Sequence, residues 1–268
     1  MIGTSTFVSL GLIIAFGIIF PIVVAVWWIK TQKEKITTVL VGAATWFVFA
    51  MILESIPKLI LFNPAFSIGK TVMGNVVLYT VLGALLAGVF EETGRFIAFK
   101  TLLKKRTNRE TSISHGIGHG GFEALYLLVL AGVQYMVYAA MINAGTFQDV
   151  IAQVAAMGAD ISTLQALPEQ LMAWTFVTSL LWMIERIFAI LVHIGLSIMV
   201  FYAVKKSKTW LFILAIVLHA LFDVPAALYQ FGIITELYVI EAMLAVYASV
   251  FFVIVYKVLY KKDDESGK

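Results

Sequence analysis

Seven long apolar stretches, joined by short segments that hold most of the lysines and arginines, leave this chain few ways to fold. About 20 apolar residues cross a ~30 Å hydrocarbon core as a helix, and inside it only helices or closed barrels satisfy their backbone hydrogen bonds. The stretches cover about residues 4–29, 36–61, 71–103, 113–142, 171–204, 210–231 and 234–260. With 61% hydrophobic and only 13% charged residues, the chain could not present a water-soluble surface. The expected fold is all-α: one integral membrane domain, residues 1–268, built as a polytopic bundle of about seven transmembrane helices. The longest connection, residues 143–170, is mildly acidic (Asp149, Asp160, Glu169) with a helical apolar rhythm, which predicts one short amphipathic helix at the membrane interface.

The basic residues give the bundle a direction. They gather in Lys30, Lys33 and Lys35; in Lys100, Lys104, Lys105, Arg106 and Arg109; in Lys205, Lys206 and Lys208; and in Lys257, Lys261, Lys262 and Lys268. With seven spans these are every second connection and the C-terminus. The positive-inside rule places them in the cytoplasm, which puts the N-terminus outside. Because the cations sit in these short turns, the net charge of +3 gives no reason to expect a nucleic-acid partner. Cysteine is absent, so disulfides, thiolate nucleophiles and Cys-ligated metals are excluded.

Against this background the third stretch contains Glu91-Glu92-Thr93-Gly94-Arg95. Ionisable groups cost several kcal/mol in hydrocarbon and mark functional sites by default. Glu91 and Arg95 are i,i+4 and share a helix face, with Glu92 rotated about 100° away. One carboxylate is then neutralised by its own helix while the other points elsewhere. A purely structural Glu–Arg pair explains this motif alone equally well. However, at ~1.5 Å rise per residue, Glu91, Glu92, His119, Glu123, His193, His219 and Asp223 all fall roughly 10–22 Å in from the basic ends of four helices. Scattered structural groups have no reason to coincide in depth. Glu54, Lys58, Glu185 and Arg186 fall nearer the opposite side and read as helix-pairing or gating groups. His115, close to a basic connection, reads as interfacial.

His119 and Glu123 are i,i+4, as are His219 and Asp223, a spacing that lets two side chains converge on one ion. Imidazole with carboxylate suits Zn²⁺, with Mn²⁺ and Fe²⁺ as alternatives. The expected ligands are Glu123, His193 and His219. Asp223 is either a fourth ligand or an acceptor that orients an imidazole, and His119 is the rival to Glu123.

Four motifs in order, Glu91-Glu92-x-x-Arg95, Gly120-Gly121-Phe122-Glu123, Glu185-Arg186 followed by His193, and His219-Ala220-Leu221-Phe222-Asp223, resemble the YhfC family of intramembrane metalloproteases. That family looks related to CAAX prenyl proteases, bacteriocin-processing enzymes and PrsW-type proteases. The wider group carries Phe-x-x-x-His or a Glu equivalent in its second motif and His-x-x-x-Asn or Asp in its last; here the second holds both His119 and Glu123, and the last ends in Asp223. The resemblance covers nearly the whole chain. It implies a bacterial plasma-membrane peptidase acting, among membrane lipids, on a membrane-embedded or lipidated peptide. Glu91 or Glu92 would activate water, with Arg95 and His119 in the catalytic set and a divalent metal, Zn²⁺ first, assisting; a metal-free route in which His stabilises the oxyanion is the variant. Competing readings are a ceramidase-type zinc lipid amidase, an ion-coupled transporter and a non-enzymatic immunity protein.

Overall fold

Apolar side chains on every face of a long helix bury it in a bundle or in lipid. In the computed structural model, which describes residues 1–157 and 161–265, seven helices are long and apolar enough to cross a membrane: Thr4–Gln32, Ile36–Leu61, Val76–Lys100, Glu110–Ala144, Phe176–Lys205, Thr209–Gln230 and Leu237–Asp263. All regular structure among the described residues is helical. Asp160 and Lys268 lie outside the described residues.

Two expected boundaries move, each because of a polar cap inside an apolar run. The third span starts at Val76 rather than near residue 71: Asn75 takes an extended backbone, and its side-chain oxygen accepts from Val77 N and Leu78 N. The preceding residues form a separate short helix, Ser67–Met73. The fifth span starts at Phe176 rather than 171, where Thr175 Oγ1 accepts from Thr178 N at 3.2 Å. The long connection contains two helices, Phe147–Ala156 and Ser162–Met172, where one was expected.

The chain divides into two bodies. The first, residues 1–20 with 125–184, is held by a cluster that includes Leu10, Ile13, Ala139, Phe147, Leu167 and Leu171. The second, residues 21–124 with 185–268, carries all the candidate site residues. Its core gathers around Val192, Leu196, Met199 and Phe201 of the fifth span, with Ala215, Leu244 and Ala248.

Among the glycines of the second body that let backbones meet, two join the helices that carry the site. A Cβ on Gly88 would stand 2.6 Å from the Ile216 carbonyl oxygen, so the third and sixth spans touch main chain to main chain. A Cβ on Gly116 would stand 2.5 Å from Ile194 Cα, joining the fourth span to the fifth as closely. These approaches draw Glu91 and Glu92 towards His219, and His119 towards His193.

Candidate metal centre

The third span contributes three charged residues, all buried: Glu91, Glu92 and Arg95. Sharing a face predicted a Glu91–Arg95 pair. The guanidinium pairs with both carboxylates, closely with Glu92 Oε1 through Nη1 and at 3.7 Å with Glu91 Oε2 through Nη2. Both i,i+3 and i,i+4 partners neighbour each other on a helix. His119 Nε2 of the fourth span, 2.8 Å from Glu91 Oε2, shares Glu91 with the guanidinium.

Glu91 Oε2 is thereby placed among three imidazoles. Besides His119 it lies 4.0 Å from His193 Nδ1 and 3.9 Å from His219 Nε2. His219 Nδ1 stands 2.7 Å from Glu92 Oε1, an acceptor, so this nitrogen carries the proton. In the neutral ring Nε2 is then the bare nitrogen, and it faces Glu91 and, at 3.7 Å, Asp223 Oδ2. A carboxylate behind an imidazole fixes tautomer and ring orientation in metal sites. Across the cluster, Arg95 Nη2 approaches His193 Nδ1 to 2.5 Å, while His193 Nε2 lies 2.5 Å from Glu123 Oε2.

One donor atom each from Glu91, His193 and His219 lies within 4.8 Å of the others, and all three residues are buried. A carboxylate with two imidazoles is a donor set that suits Zn²⁺. Arg95 donates to Nδ1, so His193 carries its proton on Nε2 and presents it to Glu123 Oε2 at 2.5 Å. Glu91 thus joins the two expected histidines in this group, and Glu123, the expected carboxylate ligand, borders His193 Nε2. Asp223, with its side chain 31% exposed, sits at the edge of the cluster.

A polar cavity of about 140 Å³ adjoins the three donors. Glu91, Glu123, Glu185, Arg186, His193, His219 and Asp223 line it, together with Ala189, Phe222, Ala226 and Leu244. At ~30 Å³ per water it holds several molecules. Glu92 stays outside its wall.

Two residues expected on the far side belong to this cavity. Arg186 Nη1 donates to Glu123 Oε1 at 2.9 Å and also pairs with Glu185. Depth counted along one helix ignores the side-chain reach that lets Arg186 of the fifth span meet Glu123 of the fourth. Glu54 and Lys58 pair at 2.5 Å within their own helix rather than between helices. His115, expected at the interface, is fully buried, with Nδ1 3.2 Å from Ser197 Oγ. All four histidines of the chain form one row, with ring centroids 6.0 Å apart for His115–His119, 4.9 Å for His119–His193 and 5.6 Å for His193–His219.

A family profile described as YhfC intramembrane metalloprotease matches residues 16–244. The chain belongs to the YhfC family. Its similarity to a family member, the "Uncharacterized membrane protein YhfC" of Bacillus subtilis (strain 168), is 35% identity over 250 residues, covering 93% of this chain and 95% of that one. With that relative and seven apolar spans, this YhfC-family chain is an integral membrane protein. No solved structure matches it.

Proposed function

We propose that this chain is a metal-dependent peptidase that hydrolyses a peptide bond within or beside the bilayer. The observation that carries the reading is the convergence of Glu91, His193 and His219, buried and within 4.8 Å donor to donor, against a polar cavity large enough for water. The family description supports the same chemistry. Glu91, His193 and His219 would hold a divalent ion, Zn²⁺ by donor type, with Asp223 within reach of the same imidazole. When bound, such an ion polarises the scissile carbonyl and acidifies a water.

The protein's own groups divide the remaining work. Glu92 holds His219 in the tautomer whose Nε2 faces the cavity, and Arg95 keeps Glu92 ionised while bracing His193. Glu92, sealed behind its partners, has no access to a substrate water, which argues against it as the base. Glu91 serves as a ligand, steadied by the His119 Nε2–H. Glu123 then becomes the base: it lines the cavity with Oε2 beside His193 Nε2, while Arg186 fixes Oε1. It takes the proton of the attacking water and returns it to the leaving amine.

The substrate class is a membrane-embedded or lipidated peptide, because the cavity lies within the bundle among helices that face lipid. The basic connections favour a cytoplasmic C-terminus, and the bacterial relative favours a plasma-membrane location. The test is reconstitution in liposomes with solubilised bacterial membrane peptides, followed by mass spectrometry of new peptide N-termini. New termini that vanish with a chelator and in Glu123→Gln support the reading. Release of fatty acid from lipid amides, without new termini, transfers the site to a lipid amidase.

A further inference from the structure

Away from the metal centre, a groove of about 870 Å³ runs between the sixth and seventh spans. Trp210, Leu214 and Leu218 form one wall, with Met243, Val250 and Val258 opposite. Its lining is entirely apolar or aromatic, and the Tyr247 hydroxyl within it is occupied by the Leu218 carbonyl oxygen at 2.7 Å. Trp210, Met243, Val250 and Val258 are exposed, so the groove opens sideways rather than into the bundle. On the sixth span the lining extends about 12 Å, close to the ~15 Å occupied by one leaflet's hydrocarbon.

The two ends of the groove differ in charge. Lys208 lies two residues before the lining residue Trp210, and Lys257 and Lys261 flank Val258 and Leu259 in sequence; all three are exposed. Lys208 Nζ lies 5.6 Å from the Tyr202 ring centroid and Lys261 Nζ 5.8 Å from that of Tyr256, so aromatic faces hold two of the ammonium groups at this end. The nearby carboxylate of Asp263 is buried and bound to Lys205 at 2.6 Å. A one-leaflet apolar slot with cations at one end complements a lipid with an anionic head and acyl tails. A neutral transmembrane segment would gain nothing from that charge.

We propose that this groove is a binding site for one anionic glycerophospholipid, with its phosphate among Lys208, Lys257 and Lys261 and an acyl chain along Leu214, Leu218 and Val250. The site is independent of the peptidase reading, because none of its residues lines the metal cavity. Binding between the two spans holds the seventh against the sixth.

The experiment is native mass spectrometry of the full chain in detergent, with phosphatidylglycerol and phosphatidylcholine offered in equal amounts and thermal melting read in parallel. The expected result is one retained phosphatidylglycerol per chain and a raised melting temperature with that lipid. Each lysine removed should weaken binding roughly fivefold, so Lys208→Gln/Lys257→Gln/Lys261→Gln should lose the headgroup preference. Leu214→Trp, which fills the groove, should lose the bound lipid even with the lysines present. Melting of both variants without added lipid checks that they fold. Glycerol phosphate alone should not shift the melting temperature, which separates a lipid site from a phosphate site. Equal retention of both lipids, a triple variant that still selects phosphatidylglycerol, or a second copy of the chain seated in the groove would each overturn the proposal.

Discussion

His219 Nδ1 lies 2.7 Å from Glu92 Oε1, and that oxygen also binds Arg95. The contact places a carboxylate directly behind an imidazole whose other nitrogen faces Glu91 and Asp223. Glu92 is thus bound to the site through His219 rather than through the cavity.

Replacing Glu92 by Gln should weaken metal binding about 10–100-fold without removing the site, as loss of an orienting partner does. The change also leaves Arg95 buried without its carboxylate, which costs about 3–5 kcal/mol when such a pair is broken. Competition against a graded series of chelators reads the first effect and thermal melting in detergent the second. Unchanged affinity in a folded variant would contradict the orienting role.

Metal content and hydrolysis should separate by residue. Elemental analysis of His193→Ala, His219→Ala and Glu91→Gln should show most of the bound metal gone. Glu123→Gln should retain near-stoichiometric metal while hydrolysis falls by roughly 10²–10⁴, the usual contribution of a general base. The reverse pattern, with metal lost in Glu123→Gln and kept in Glu91→Gln, would restore Glu123 as the carboxylate ligand.

Arg186→Met should lower the turnover rate more than it changes metal content. Arg186 Nη1 fixes Glu123 Oε1, and without it the carboxylate is free to swing out of line with the attacking water. Single-turnover rates beside elemental analysis make the comparison. Equal loss in both would assign Arg186 to holding the bundle together.

Acid should release the ion. Imidazole binds metal only when neutral, so protons compete at His193 and His219, and affinity falls as pH drops through the histidine range. Dialysis at stepped pH followed by elemental analysis should show full occupancy on the alkaline side and loss on the acid side. Constant occupancy across that range would remove the two histidines from the ligand set.

Gly116→Ala should destabilise the protein by about 1–3 kcal/mol, because the added methyl meets main chain at Ile194 rather than a flexible side-chain tip. The same change displaces the fourth span from the fifth, so metal content should fall along with the melting temperature. A melting temperature equal to that of the wild type would mean the helices part without cost.

The spans were legible because each is a long unbroken apolar run, a signal that survives any packing arrangement. Their ends were less so. Asn75 and Thr175 are ordinary capping residues, but they lie in stretches apolar enough to be read as continuous helix. At the site, sequence spacing gives depth along a helix and not the direction faced across the bundle. That is why His193 and His219 could be singled out, whereas the approach of Glu91 to both needed the third span docked against the fifth and sixth. Arg95 pairs with its i,i+4 neighbour as expected, but more closely with the i,i+3 one, because an imidazole from another helix shares Glu91. Arg186 pairs helices as expected, but that its partner would be Glu123 of the site could not be read from spacing along its own helix.

The row formed by His115, His119, His193 and His219 contains every imidazole in the chain. Histidine-selective ¹⁵N labelling consequently gives a spectrum with no background from elsewhere. Each resonance belongs to the site or to its immediate neighbour, and ion binding, tautomer and proton exchange can be followed in lipid without a known substrate.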